Sequence, residues 1–484
     1  MNPVIVIGIV LGYFFLLLII SFFSAKTADS KTFFTANKQS PWYIVAYGMV
    51  GASISGITYI SVPGEVCNSQ WTYFQMVIGY VFGIAMTAII LLPLYYRLNL
   101  VSIYSYLETR FGFWSYKTGA AFFLLSQSVV AAFRLYLMAR VLQVGFFDGY
   151  GIPFEVTVFV TLALIWLYTY RAGIKTIVYT DTLQTTFLLL AAILSILILM
   201  NDLRWTVSDF FAFARGNPDT KMFVWQWSSD RNFFKLLLTG AFLTLVTNGL
   251  DQSVMQKHLT CRTLKDAQKN MFWFCVLLAL TNLLFLGLGI LLRQFALQNG
   301  IAIPPRTDDL YPLLAIHHFH AFAGIVFLLG ISAAAYSSAD SALTGLTTSF
   351  CVDFLNYKDQ ESELLQRKRF LIHFSFSLLL YLIIVIFKII NDESVINAFI
   401  RVSGYTYGPL LGLYAFGLFT QRRVHDRWVP LLCILSPLIS ILLYFYSETW
   451  LWGYKFGFEI LLVNSAFTFA GLFFLRERKL HPRA

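Results

Sequence analysis

The sequence predicts an all-α, polytopic membrane protein of about thirteen spans, and three observations predict it. Hydrophobic residues make up 58% of the 484 positions and charged residues only 12%. The mean hydropathy is +0.69, outside the range of soluble domains. Apolar stretches of about 20 residues, the length a helix needs to cross a bilayer, recur from end to end. The net charge of +10 calls for no nucleic acid, because the basic residues sit in short segments between apolar stretches. Five cysteines, Cys67, Cys261, Cys275, Cys351 and Cys433, show no metal or redox spacing and read as free thiols.

In chain order the spans centre on 4–23, 42–66, 73–96, 118–146, 153–170, 176–200, 233–256, 271–293, 321–349, 369–388, 394–419, 428–446 and 452–475. The first is too long for a signal-peptide core and has no basic region before it, so it reads as a retained helix. The second carries Gly51, Ala52, Ser53, Ser55, Gly56 and Thr58 ahead of Pro63–Gly64 and reads as broken. Gln75 opens the third near the outer side. The fourth holds Arg134 at its middle, and the sixth holds Asp181 near its inner end. The seventh has Thr239–Gly240, Thr244, Thr247, Asn248 and Gly249 before Asp251–Gln252, and reads as the second broken helix. In the ninth, ISAAAYSSADSALTGLTTSF places Ser337, Ser338, Asp340 and Ser341 at membrane depth, where polar groups are costly unless they face a cavity, a partner or an ion. Ser and Ala stripes also line close helix contacts, but that reading leaves the aspartate unexplained.

The two broken spans begin five spans apart, as they would if spans 2–6 and 7–11 were inverted repeats. The chain then divides into 1–41 (an extra N-terminal helix and loop), 42–200 (first repeat), 201–231 (an outer loop), 232–420 (second repeat) and 421–484 (two C-terminal helices and a short tail). Every odd-numbered span exits into a basic segment: Lys26, Lys31 and Lys38; Arg97, Arg110 and Lys117; Arg171 and Lys175; Lys257, Arg262, Lys265 and Lys269; Arg367, Lys368 and Arg369; Arg422, Arg423 and Arg427; Arg476, Arg478 and Lys479. By the positive-inside rule the N-terminus is outside and the C-terminus is inside a cell membrane.

Interrupted helices at matching positions of two halves point to a transporter's binding site, and hydroxyl and carboxylate oxygens suit a hard cation. At a rise of about 1.5 Å per residue, Gly51–Ile54 lie roughly 12–17 Å above the inner end of their span, Ser337–Ser341 about 12–18 Å, and Asp181 about 8 Å. One layer therefore gathers the carbonyls of Gly51 and Ile54, the hydroxyls of Ser337 and Ser338, and the carboxylates of Asp181 and Asp340. Thr58 and Arg134 lie higher, at about 22 Å, which implies an ion below a solute.

At these residues the chain resembles the sodium:solute symporter family, which includes bacterial sodium/galactose, sodium/proline and sodium/sialic acid transporters. The likeness is carried by ASISGITYISVPG, SYLETRFG, YTDTLQ, LDQSVMQKHLT, AAAYSSADSALTGLTTSFCVDF and GYTYGPLLGLYAFGLFTQR. It implies a leucine-transporter type fold with an inverted five-plus-five core. It implies a sodium site made by Gly51, Ile54, Ala334, Ser337 and Ser338, with Na+ as the coupling ion. Some sialic acid transporters of the family hold a second sodium, and the matching positions here are Asp181, Asp340 and Ser341. Asp340 departs from the hydroxyl residue usual there, which either strengthens a second cation site or leaves a proton in its place. Ser55 and Thr58 match that subgroup's solute contacts. The position of its carboxylate-reading arginine is Val130 here, and Arg134 stands one turn onward.

The candidate solute contacts are Ser53, Ser55, Thr58, Gln75, Arg134 and Thr247, with Tyr59, Phe74 and Tyr405 as possible caps. The leading reading is thus a sodium-coupled importer of a small organic solute, a sugar acid or a sugar, embedded in the bilayer. A neutral sugar or amino acid, with Arg134 held structurally by Asp181 or Asp340, is the alternative. A membrane enzyme would need a His, Cys or paired carboxylates beside a basic lipid-head site, and no such group stands out. A sensor would carry a soluble signalling domain, for which the tail RERKLHPRA leaves no room. His317, His318 and His320, before the ninth span, read as a solvated loop.

Overall fold

The computed structural model describes residues 3–25, 36–143, 147–169, 174–357, 363–390, 395–454, 456–457 and 459–476. Helices occupy all thirteen predicted positions. They are α1 (Pro3–Ala25), the pair α2 (Trp42–Ser53) and α3 (Ile57–Ser69), α4 (Tyr73–Arg97), α5 (Phe113–Leu142), α6 (Phe154–Thr169) and α7 (Ile174–Asp202). The second half holds the pair α8 (Phe233–Gly249) and α9 (Gln252–His258), then α10 (Leu264–Gln298), α11 (Ala321–Phe354), α12 (Glu363–Ile390), α13 (Val395–Phe419), α14 (Val429–Trp450) and α15 (Ile460–Phe474). Among the described residues seven helices are long and apolar enough to cross a membrane, or nine if each bent pair is one span. Of the charges used to orient the chain, Lys26, Lys31, Arg171, Arg478 and Lys479 lie outside the described residues.

Both predicted breaks are present. α2 and α3 meet at 64°, and α8 and α9 at 72°. At the first break Ile54 leaves the helical region (φ −84°, ψ 90°), and the Ser55 hydroxyl accepts from the Ile57 amide at 3.3 Å. At the second, Asp251 takes an extended conformation and caps α9, its Oδ1 accepting from the Ser253 amide at 2.9 Å. A break inside a bilayer frees backbone groups that must find partners within the protein. The Tyr95 and Tyr104 hydroxyls supply them here, donating to the carbonyls of Gly249 (2.9 Å) and Leu250 (2.8 Å).

Packing repeats across the halves with the offset of five spans. α8 lies against α4 as α2 and α3 lie against α10, and α7 lies against α11 as α13 lies against α5. Glycines set the closest of these approaches. A Cβ on Gly240 would fall 2.1 Å from the Met76 carbonyl oxygen, and one on Gly51 would fall 2.2 Å from Thr185 Oγ1, so α8 meets α4 backbone to backbone and α2 seats Gly51 on the Thr185 side chain of α7. On the basic side, Arg110 of SYLETRFG donates to the carbonyls of Gly417 (3.0 Å) and Thr420 (2.6 Å) just past α13. On the other side a two-pronged Arg140–Asp309 pair (2.9 and 2.7 Å) ties α5 to the segment ahead of α11.

Two boundaries differ from the sequence reading for local reasons. α10 starts seven residues before 271 because Thr263 caps it, accepting from the Asp266 amide at 3.1 Å. α15 starts at Ile460 rather than near 452 because Trp452 (φ 51°) and Gly453 (φ 85°) turn the chain first.

Gly240→Ala should destabilise the purified protein by about 1–3 kcal/mol, the usual cost of overpacking. Gly216→Ala, whose added Cβ meets nothing within 4 Å, should not. Thermal unfolding in detergent checks this; equal melting temperatures for the two variants would contradict the close α4–α8 approach.

Candidate ion and solute site

The two broken helices and α5 enclose a central cavity. Ser53, Ser55 and Thr58 enter it from the first break, Thr244, Thr247 and Asn248 from α8, Asn282 from α10, and Arg134 from α5. Tyr73, Tyr80 and Phe399 supply its aromatic walls, the two tyrosine hydroxyls 2.8 Å apart. Five of the six expected solute contacts therefore line one cavity.

Gln75 does not. It is fully buried, and its amide donates to the carbonyls of Thr72 and Arg231 and accepts from the Val224 amide, each at 3.1 Å. It braces α4 to the 224–231 segment. The expected caps are likewise elsewhere. Tyr59 is buried against Phe285, Tyr311 and Phe327, Phe74 is absent from the lining, and Tyr405 packs on Tyr444. A hydrophobic aromatic one or two residues from a cavity residue gives no sign in the sequence of which face it takes.

Arg134 carries the cavity's positive charge. Its Nε is buried and has no hydrogen-bond partner, and its guanidinium carbon sits 5.8 Å from the Phe399 ring centroid. Among the described residues no carboxylate lies within 4.0 Å of it. Asp251 is the carboxylate whose field it feels, yet the Asp251 oxygens are already engaged. One accepts from the Ser253 amide (2.9 Å) and hydroxyl (2.5 Å), the other from Tyr407 Oη at 2.8 Å. The expected structural partners, Asp181 and Asp340, are not the groups beside it.

The residues expected to hold sodium are all buried, Gly51 and Ile54 at the first break and Ala334, Ser337 and Ser338 on α11, and α2 packs against α11. Gly51 is still helical, its amide donating to Thr185 Oγ1 at 3.0 Å, so the chain unwinds at Ile54 and not at Gly51. Among the described residues no side chain donates to the carbonyls of Gly51 or Ile54. Ser338 donates to the Ala334 carbonyl at 3.1 Å, which leaves its oxygen lone pairs open to a cation.

The layer expected to take a second cation holds an additional residue. Ser337 donates to Asp181 Oδ1 at 2.6 Å, and Ser341 donates to the Ser337 carbonyl at 2.8 Å with Asp340 Oδ1 at 3.1 Å. Between Asp181 and Ser341 lies the Lys257 ammonium, 2.5 Å from Asp181 Oδ2 and 2.6 Å from Ser341 Oγ. The sequence reading assigned Lys257 to a basic loop after the seventh span. In the structure it belongs to α9, with its side chain 2% exposed. The signal was present in LDQSVMQKHLT, where Asp251 caps a new helical turn that carries the chain past residue 256. Asp251 and Gln252 both tie the second break to its neighbours, Asp251 accepting from Tyr407 (2.8 Å) and Gln252 bridging the Val101 carbonyl (2.8 Å) and the Ile103 amide (2.9 Å). Among the described residues no group of three or more His, Cys, Asp or Glu is placed to hold a metal ion, the three histidines before α11 included.

Comparison with known proteins places this geometry. The model of the sodium:solute symporter family matches residues 33–426. The sodium/sialic acid symporter NanT of Aliivibrio fischeri is 25% identical over 413 residues, 83% of this chain and 80% of that protein. The sodium/sialic acid symporter SiaT of Proteus mirabilis is 24% identical over 431 residues, 86% of this chain and 84% of that protein. A solved structure of a Na+-coupled sialic acid symporter, substrate-bound and outward-open, superposes with a TM-score of 0.80 at 21% identity. It covers 97% of this chain and 96% of its own, and its fold is of the leucine-transporter type. The chain belongs to the sodium:solute symporter family and is a multi-pass membrane transporter coupled to sodium, not an enzyme.

Proposed function

We propose that the protein imports an acidic, polyhydroxylated solute, a sugar acid of the sialic acid class, together with sodium. One observation carries this reading. The Arg134 guanidinium faces the cavity with a buried, unpartnered Nε, and an unpaired guanidinium at membrane depth is too costly to keep unless something anionic meets it. A guanidinium offers a planar fork to a carboxylate. The hydroxyls of Ser53, Ser55, Thr58 and Thr247 and the amides of Asn248 and Asn282 would take the solute's hydroxyls.

In this reading sodium binds the carbonyls of Gly51, Ile54 and Ala334 and the hydroxyls of Ser337 and Ser338. It joins the first break to α11, and it drives the cycle only by binding one conformation better than the other. The repeats are 42–200 and 232–420, between an outer loop at 201–231 and two further helices in 421–484. The N-terminal end lies outside the cell membrane and the C-terminal end inside. A second reading keeps Arg134 as a structural charge, stacked at 5.8 Å on the Phe399 ring, and suits a neutral sugar or amino acid.

Uptake into proteoliposomes with a panel of sugar acids, sugars and amino acids separates these. Sugar-acid uptake should require sodium and vanish when choline replaces it on both sides; uptake that persists in choline would refute coupling. Arg134→Lys keeps the charge but loses the fork, and the lost charged hydrogen bond, roughly 1.5–3 kcal/mol, should weaken the apparent affinity for the acid about 10- to 150-fold. Equal sugar-acid transport by wild type and Arg134→Lys, or transport of neutral sugars only, would overturn the assignment. Ser338→Ala should raise the sodium concentration for half-maximal uptake at equal expression; an unchanged value would remove Ser338 from the ion site.

A further inference from the structure

We infer that Lys257 is a built-in cation, filling the place where a second sodium would otherwise bind, so that this symporter couples each solute to a single sodium. The inference rests on the sodium-coupled reading above and concerns how many ions that coupling uses. It starts from three oxygen groups held in one buried layer. Asp181 on α7 and Ser337 and Ser341 on α11 are each at most 8% exposed, and they are joined by the 2.6 Å Ser337–Asp181 bond. A carboxylate flanked by two hydroxyls, closed off from water, is an arrangement that demands a monovalent positive charge.

That charge comes from the chain itself. The Lys257 ammonium lies 2.5 Å from Asp181 Oδ2 and 2.6 Å from Ser341 Oγ, in direct contact with the oxygens a free ion would need. Two cations cannot share those oxygens, both for want of space and because like charges a few ångströms apart in a poorly screened interior repel strongly.

The tether makes this cation different from a transported one. Lys257 stands on α9, the short helix after the 72° break. That helix is fixed by the Asp251 cap and by Gln252 on the 101–103 segment. The ammonium thus reaches from the short helix after the break to α7 and α11, and it can leave the site only if α9 moves. Whenever the helix returns, the charge returns with it, and nothing is carried across. Ser341 Oγ also lies 3.1 Å from Asp340 Oδ1, so the same ammonium sits within one hydroxyl of the second carboxylate of the layer.

The test counts sodium directly, with ²²Na+ alone and no solute, by equilibrium binding to the purified full-length protein in detergent. The wild type should bind one sodium per chain. Lys257→Met, which keeps the apolar stem but removes the ammonium, should bind two, with the added binding lost again in Lys257→Met/Asp181→Asn. Flux measurements on the same variants should show a Hill coefficient for sodium near one in wild type and rising towards two in Lys257→Met. Two sodium ions bound by wild type, or one by a folded Lys257→Met, would overturn the inference. If Lys257→Met cannot be isolated folded, the wild-type count decides by itself. No sodium bound by wild type would instead overturn the sodium-coupled reading, and the two failures are therefore distinguishable.

Discussion

The constraint on which the rest of this structure depends is that a membrane interior leaves no polar group to water. Two helices are broken within the span of the bilayer, and each break frees backbone groups that must be met from within. At the α8–α9 break the protein answers from within: the hydroxyls of Tyr95 and Tyr104 donate to the carbonyls of Gly249 and Leu250, and the carboxylate of Asp251 accepts from the first amides of α9. At the α2–α3 break no side chain among the described residues donates to the Gly51 and Ile54 carbonyls. The first break therefore keeps carbonyl oxygens that no described side chain occupies, and its helix α2 packs against α11. The asymmetry between otherwise equivalent helices is what makes one a support and the other a candidate ion ligand.

The same constraint sorts the buried charges. Asp181 is met by Lys257, and Asp251 by Tyr407, Ser253 and the amides of α9. Glu65 is met by Arg231 at 3.0 Å. Among the described residues no carboxylate touches Arg134, which lies in the central cavity among hydroxyls and amides. Internal pairing of the other charges beside one guanidinium facing open space is what supports an anionic solute. The glycines contribute by letting helices approach: Gly51 brings the first broken helix onto α7, the helix that carries Asp181.

The helices at the thirteen expected positions, both breaks and the gathering of Ser53, Ser55, Thr58, Arg134 and Thr247 around one cavity were legible in the sequence. Each leaves a mark in one dimension: an apolar run of fixed length, a cluster of Gly and Ser in an apolar run, or a charge where none should be. What was not legible depends on which way a residue faces or on where a helix ends. Gln75 has the polarity of a ligand, but its amide closes a loop on α4, and only the fold reveals Val224 and Arg231 as its partners. Tyr59 and Tyr405 face other helices. Lys257 stood one residue beyond the expected end of a span, next to other basic residues, and so resembled a loop charge. Its partner Asp181 is 76 positions away, a pairing that no local pattern announces.

If the central cavity and the buried oxygen layer form one coupled machine, solute and sodium move only together. Reciprocal drive is the sharpest check. Proteoliposomes would carry equal ²²Na+ concentrations on both sides, with a sialic acid gradient imposed inward. ²²Na+ should accumulate transiently against its own gradient, and should not when a neutral sugar replaces the acid. Sialic acid entry without any movement of ²²Na+ would contradict the coupling.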